Sequence, residues 1–79
     1  MDYIGFNSWL LEDQGMSKRS AKDVLSRCRR VCKWLNIEVI TSNTSEDLLE
    51  NSEYTNSSMF IKSQLKRAVS LWLEYNREN

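Results

Sequence analysis

Seven cations crowd into residues 17–34: Lys18, Arg19, Lys22, Arg27, Arg29, Arg30 and Lys33, set against the single carboxylate of Asp23. Clustered ammonium and guanidinium groups suit the phosphates of a polyanion, because each neutralised phosphate releases condensed counterions. The hydroxyls of Ser20 and Ser26 in the same stretch offer further hydrogen bonds to phosphates or base edges. The chain as a whole is neutral, so the cluster is an asymmetry and not an excess. Residues 1–16 carry −3, residues 17–34 carry +6, residues 35–58 carry −5 and residues 59–79 carry +2. Segregation of this kind implies one face suited to a polyanion. The competing reading of the same block is an ordinary solvated helix face, although so many like charges with one neutralising neighbour are mildly costly.

Other chemistry is poorly supplied. The chain has no histidine, which removes the commonest general base and the usual Ser/His and Cys/His nucleophile pairs. It contains no Walker-type phosphate loop, no G-x-G-x-x-G and no H-E-x-x-H, and nothing in the sequence places two carboxylates in one pocket. The expectation is that the chain by itself is not an enzyme. Cys28 and Cys32 are spaced to share one face of a helix, and that face is apolar. They read as two small buried hydrophobes, both reduced. A metal site would need more ligands of the right type, and a helix holds these two thiols in a poor geometry for a bridge. No metal and no cofactor is expected. Trp9, Trp34 and Trp72 have the rings to stack on bases. Trp72 and, at least in part, Trp9 belong to core faces, whereas Trp34 points away from its helix's apolar stripe, toward an interface or beneath the loop after Leu35.

The elements that must position these groups are helices. Seventy-nine residues make one domain, 1–79, and 41% apolar residues suffice for a small core. The absence of proline and the restriction of glycine to Gly5 and Gly15 favour a helical bundle over an all-β fold. A first helix is expected over Tyr3–Asp13, capped by Asp2 and ended by Gly15, with Tyr3, Phe6, Trp9 and Leu10 inward. A second is expected over Lys18–Leu35 with Ser17 as N-cap, forming an antiparallel hairpin with the first. Its apolar set, Ala21, Val24, Leu25, Cys28, Val31, Cys32 and Leu35, spans about 120° of the wheel. Lys18, Lys22, Arg29 and Lys33 fall together beside that stripe, Arg19 and Arg30 nearly opposite it, and Arg27 apart.

Residues 36–43 read as an extended connection whose Ile37, Val39 and Ile40 plug the core. A short third helix is expected over Ser45–Asn51, with Thr44 and Asp47 resembling a capping box. Residues 51–58 read as a polar turn region, and a last helix over Ser58–Arg77 presents Ile61, Leu65, Ala68, Leu71, Trp72 and Tyr75 on one face. Val69 and Leu73 widen that face, toward the first helix or toward another domain. No run approaches the roughly 20 apolar residues of a membrane span, and the start is no signal peptide, so a cytoplasmic location is expected.

Phe6, Trp9-Leu10, Gly15-Met16-Ser17, Ser20, Val24, Cys28 and Val31, continued by Trp34-Leu35, resemble the front half of the core-binding domain of tyrosine recombinases, the phage-type integrases. Ile40-Thr41, Glu46-Asp47-Leu48 and the final helix with Leu65, Ala68, Leu71-Trp72 and Tyr75 are similar to the rest of that SAM-like domain. The sequence departs from the family in having Val24 where tyrosine is common and Cys28 where leucine is common. The resemblance implies an all-α, four-helix orthogonal bundle of two helical hairpins that clamps duplex DNA for integration or recombination. It implies DNA contacts from Lys18, Arg19, Lys22, Arg29, Arg30 and Lys33, with Lys62 and Lys66 from the last helix. It also implies a following catalytic domain in the parent protein, absent from this chain, so Tyr3, Tyr54 and Tyr75 do not inherit the family's nucleophile. The alternative is a small helical protein-interaction module with no nucleic-acid partner, favoured by the acidic stretch from Glu38 to Glu53 and by the zero net charge.

Overall fold

A computed structural model of the chain describes residues 1–78, so Asn79, the end of the expected domain, lies outside the described residues. The described residues form helices and no strand: α1 (Tyr3–Glu12), α2 (Lys18–Leu35), α3 (Thr44–Leu49), α4 (Ser52–Thr55) and α5 (Met59–Glu78). The all-helical expectation holds, with one extra turn, α4, inside the stretch read as a polar connection.

The boundaries follow from local chemistry. Asp2 caps α1, its carboxylate accepting from Gly5 N–H at 3.0 Å. At the other end Gly15 takes φ +63°, and Met16 N–H reaches back to Leu10 O at 3.0 Å, which closes the helix in the left-handed manner glycine permits. Ser17 caps α2 through Ser20 N–H at 3.1 Å. Asn36 ends α2 at φ 54°, and Ile37 N–H bonds Cys32 O at 3.0 Å, the six-to-one bond of a Schellman turn.

The start of α3 differs from the sequence reading. Thr44 is not the cap but the first helical residue, buried, with its hydroxyl accepting from Thr41 N–H at 2.9 Å. Its own N–H bonds Thr41 O at 3.1 Å, so the pair closes a reciprocal turn and leaves the cap position to Asn43. Glu46 and Asp47 do occupy the first turn, where the helix dipole favours them. In α4, Asn51 accepts from Tyr54 N–H at 3.0 Å and donates to Trp34 O at 3.1 Å, tying this turn to the end of α2.

α2 is the central element, packed most extensively on α5 and next on α1. Ala21, Val24, Cys28 and Val31 are buried, and Leu25, Cys32 and Leu35 lie partly buried against the same core, so the whole expected stripe faces inward. Val69 is buried and Leu73 partly buried against the core, and the end of α5 meets α1 through Trp72 and Tyr75. Phe6 meets Trp72 edge-on at 5.1 Å between centroids, and Tyr75 leans on both Phe6 and Trp9 at 5.4 and 5.7 Å. The Tyr75 hydroxyl donates to the Asp2 carboxylate at 2.9 Å, joining the α1 cap to α5. That bond, after the stronger one from Gly5 N–H, holds the Asp2 carboxyl below its ordinary value. In the connection, Ile40 alone plugs the core fully; Ile37 is half-buried and Val39 faces solvent.

The cysteines also differ from each other. Cys28 is buried, its thiol pushed up to about 12 by desolvation, and its Sγ donates to Ala68 O at 3.6 Å. Cys32 is only half-buried, with Tyr3 beside it and Met1 over it, the two sulfurs 3.6 Å apart. The expectation that both are buried is thus corrected for Cys32. In native protein at neutral pH, a maleimide is expected to label Cys32 slowly and Cys28 only on unfolding. Equal labelling rates, followed by mass spectrometry, would contradict this.

Tyr54 is the core residue that periodicity did not reveal. It is 2% exposed, and its hydroxyl has no hydrogen-bond partner among the described residues. An unpaired buried hydroxyl costs about 1–3 kcal/mol. Tyr54→Phe is therefore expected to stabilise the fold by about 1 kcal/mol, raising Tm by roughly 4–8 °C. A lower Tm in a thermal melt would show that the hydroxyl is bonded in solution.

Candidate nucleic-acid interface

The eighteen residues of α2 span about 27 Å at roughly 1.5 Å each, long enough to set several cations along one phosphate track. Lys18, Arg19, Lys22, Arg29, Arg30 and Lys33 are all exposed. Among the described residues none of them forms an ion pair with a carboxylate. Their charges are therefore directed to solvent, not consumed by the fold.

The tertiary structure sorts five of these six cations, all but Arg19, into two neighbouring hollows. Lys18, Lys22 and Arg29 rim a groove of about 520 Å³ between α1 and α2. Its lining is mostly apolar, with Tyr3, Ile4 and Leu11 from α1 and Leu25 from α2, joined by Asn7 and Ser8 of α1. The Arg29 guanidinium lies over the Tyr3 ring at 4.6 Å from the centroid, a cation–π contact that fixes the head while leaving its edge N–H groups free to donate. A second hollow, of about 420 Å³, is lined by Ser26, Arg29, Arg30, Lys33 and Trp34 of α2. Arg29 belongs to both hollows and so joins them into one basic flank. Trp34 is half-buried there, beside the cations and packed against the edge of the core. Glu53 of α4 closes the far side of this hollow.

The remaining expected residues are placed elsewhere. Arg19 is exposed at the start of α2 and lines neither hollow. Lys62 is half-buried, its ammonium 5.8 Å from the centroid of the Tyr54 ring, and so turns toward α4. Lys66 is exposed on α5, and neither lysine lines the hollows of the α2 flank. Arg27 does stand apart, sharing a separate hollow of about 260 Å³ with Ser20, Asp23 and Arg67. Ser20 is thereby divided from Ser26, and its hydroxyl already accepts from Ser17 Oγ at 3.1 Å.

Tyr3, Glu53 and Arg67 take positions in these hollows that the sequence reading did not assign. A helical wheel cannot find them, because each reaches the basic helix from another element. The capping pattern at Asn51, three residues before Tyr54, was the one local signal for α4 and hence for Glu53.

Chemically, the flank can hold anionic oxygens, with arginine bidentate and lysine as a point charge. No group of three or more metal-binding side chains is assembled among the described residues, and none of their helices is long and apolar enough to cross a membrane. Searches against family models, curated proteins and solved structures find no match to this chain.

Proposed function

We infer that this chain is a non-catalytic module that binds the phosphate backbone of duplex DNA through the basic flank of α2. One observation carries the reading: six exposed cations on a single helix, none ion-paired to a carboxylate among the described residues. A solvated face of ordinary kind mixes signs, whereas this one spends almost nothing on neutralising itself. The finer form of the reading is that of a SAM-like core-binding domain with two hairpins, α1–α2 and α3–α5, acting for a tyrosine recombinase. It rests on the resemblance of Phe6, Trp9-Leu10, Gly15-Met16-Ser17 and the α5 face, together with the all-helical order of elements. In that form a separate catalytic domain does the strand chemistry, and this chain supplies grip from Lys22, Arg29 and Lys33, with Lys18, Arg19 and Arg30 adding charge. Lys62 and Lys66 contribute less, since they lie off the flank.

The test is chemical-shift mapping with a short duplex over a range of salt. Perturbed amides are expected from Lys18 to Trp34, with affinity falling steeply as salt rises. Perturbations confined to residues 46–53, or binding indifferent to salt, would move the function to the protein-interaction alternative.

A further inference from the structure

We propose that the groove between α1 and α2 takes the acidic α3 segment of a second copy of this chain, with Leu49 seated on Ile4 and Leu25 and with Glu46 and Glu50 facing Lys18, Lys22 and Arg29. The groove combines two properties that DNA alone does not require. Its lining is mostly apolar, and Ile4 at its edge stands 85% exposed. Phosphate oxygens have nothing to offer that side chain, whereas a protein segment carrying an aliphatic residue beside carboxylates matches both lining and rim.

The chain itself supplies such a segment. Residues 34–61 contain no lysine or arginine but hold Glu38, Glu46, Asp47, Glu50 and Glu53, every one exposed. Within this stretch Leu49 is 58% exposed on α3. Leu49 and Glu50 lie three and four residues after Glu46, one turn on, so one small surface presents a leucine beside two carboxylates. In the same chain none of these three residues lines the groove. Within this sequence the match is therefore one between copies. Zero net charge means that two copies do not repel at long range, and the segregation of sign favours an alignment of acidic face to basic groove.

Donor face and acceptor groove are different surfaces, so a single contact leaves one groove and one acidic face unused, for a further copy or for reciprocal closure of the pair. It also covers Lys18, Lys22 and Arg29, so association and DNA binding compete for these residues. The inference stands on the groove and the acidic face and does not depend on DNA binding, and its test contains no DNA.

Sedimentation equilibrium of the chain alone is the experiment, at up to about 1 mM, where weak complexes become populated. At low salt the weight-average mass is expected to rise above the monomer's 9.3 kDa with concentration. At about 0.5 M salt, where screening shortens charge interactions to a few ångströms, it should return to the monomer. Leu49→Lys removes the donor face, and the double variant Lys18→Glu/Lys22→Glu removes the acceptor rim; all three positions are exposed, so the fold survives. Each variant alone is expected to stay monomeric. Mixed, they should pair one to one and stop at the dimer, since each retains the half the other lacks. A monomer at every concentration in low salt overturns the proposal, as does failure of the two variants to pair. Association lost in Met59→Lys/Phe60→Lys but kept in Leu49→Lys would assign the interface to the exposed start of α5 and also overturn it.

Discussion

Replacing Lys22, Arg29 and Lys33 together by glutamate is expected to abolish measurable binding to duplex DNA while leaving the helical fold in place. Non-specific phosphate contacts give Kd values of about 10⁻⁴–10⁻⁶ M at physiological salt, and the log of affinity changes by about 0.9 per decade of salt for each phosphate neutralised. The variant removes three such contacts and sets three carboxylates against the phosphates, so binding should fall below detection. The structural cost is small because all three side chains are exposed and none is ion-paired to a carboxylate among the described residues. Arg29 forfeits its contact with the Tyr3 ring, worth about 0.5–1 kcal/mol at an exposed site. Lys33 lies in the last turn of α2, where reversing its charge costs a further 0.3–1 kcal/mol or so through the helix dipole. Circular dichroism should remain helical, while fluorescence anisotropy with a labelled duplex reads the loss. Replacing Lys22 alone by alanine should flatten the salt slope by about one unit without altering sequence preference. If the triple variant binds duplex as the unchanged chain does, the flank is not the DNA face.

Trp72→Ala is expected to remove most of the stability of the fold. Trp72 is 3% exposed and stands where the aromatic cluster, α5 and the 36–43 connection converge. It meets Phe6 edge-on and Tyr75 at 5.5 Å, and its indole N–H donates to Ile40 O at 3.1 Å. Truncating a buried tryptophan costs about 3–5 kcal/mol, and the orphaned Ile40 carbonyl adds a further penalty of about 1–3 kcal/mol. A domain of this length holds only about 4–12 kcal/mol in all. The melt should therefore shift down by at least about 16 °C, or the variant should already be unfolded at room temperature. Trp72→Phe separates the two contributions, because it keeps a ring against Phe6 and loses only the N–H and part of the volume. A Tm change of less than about 5 °C for Trp72→Ala, equivalent to about 1 kcal/mol, would show that the cluster does not organise this core.

The short-range features were legible in the sequence because their causes are short-range. Asp2 and Ser17 cap helices with their own side chains, Gly15 takes a backbone angle that other residues resist, and the α2 stripe follows from 3.6 residues per turn. The same periodicity located the exposed cations of α2, since an azimuth on one helix needs no knowledge of its neighbours. What the wheel could not give is what stands at each azimuth. That Lys18, Lys22 and Arg29 rim a mostly apolar groove depends on α1 lying beside them, and that Arg29 rests on Tyr3 depends on residues twenty-six apart in the chain. Thr44 looked like a cap because its type suits one, yet the turn closed through Thr41 shifted the helix start by one position and buried it. Tyr54 carried no periodic signal, because a four-residue helix is too short to display a face; it is core only because α4 folds against α3 and Asn51 ties that turn to the end of α2. Local propensity and periodicity thus determined which residues are helical and which side of each helix is apolar. Tertiary packing, through contacts between residues far apart in sequence, decided which of the charged sides became grooves and what each groove holds.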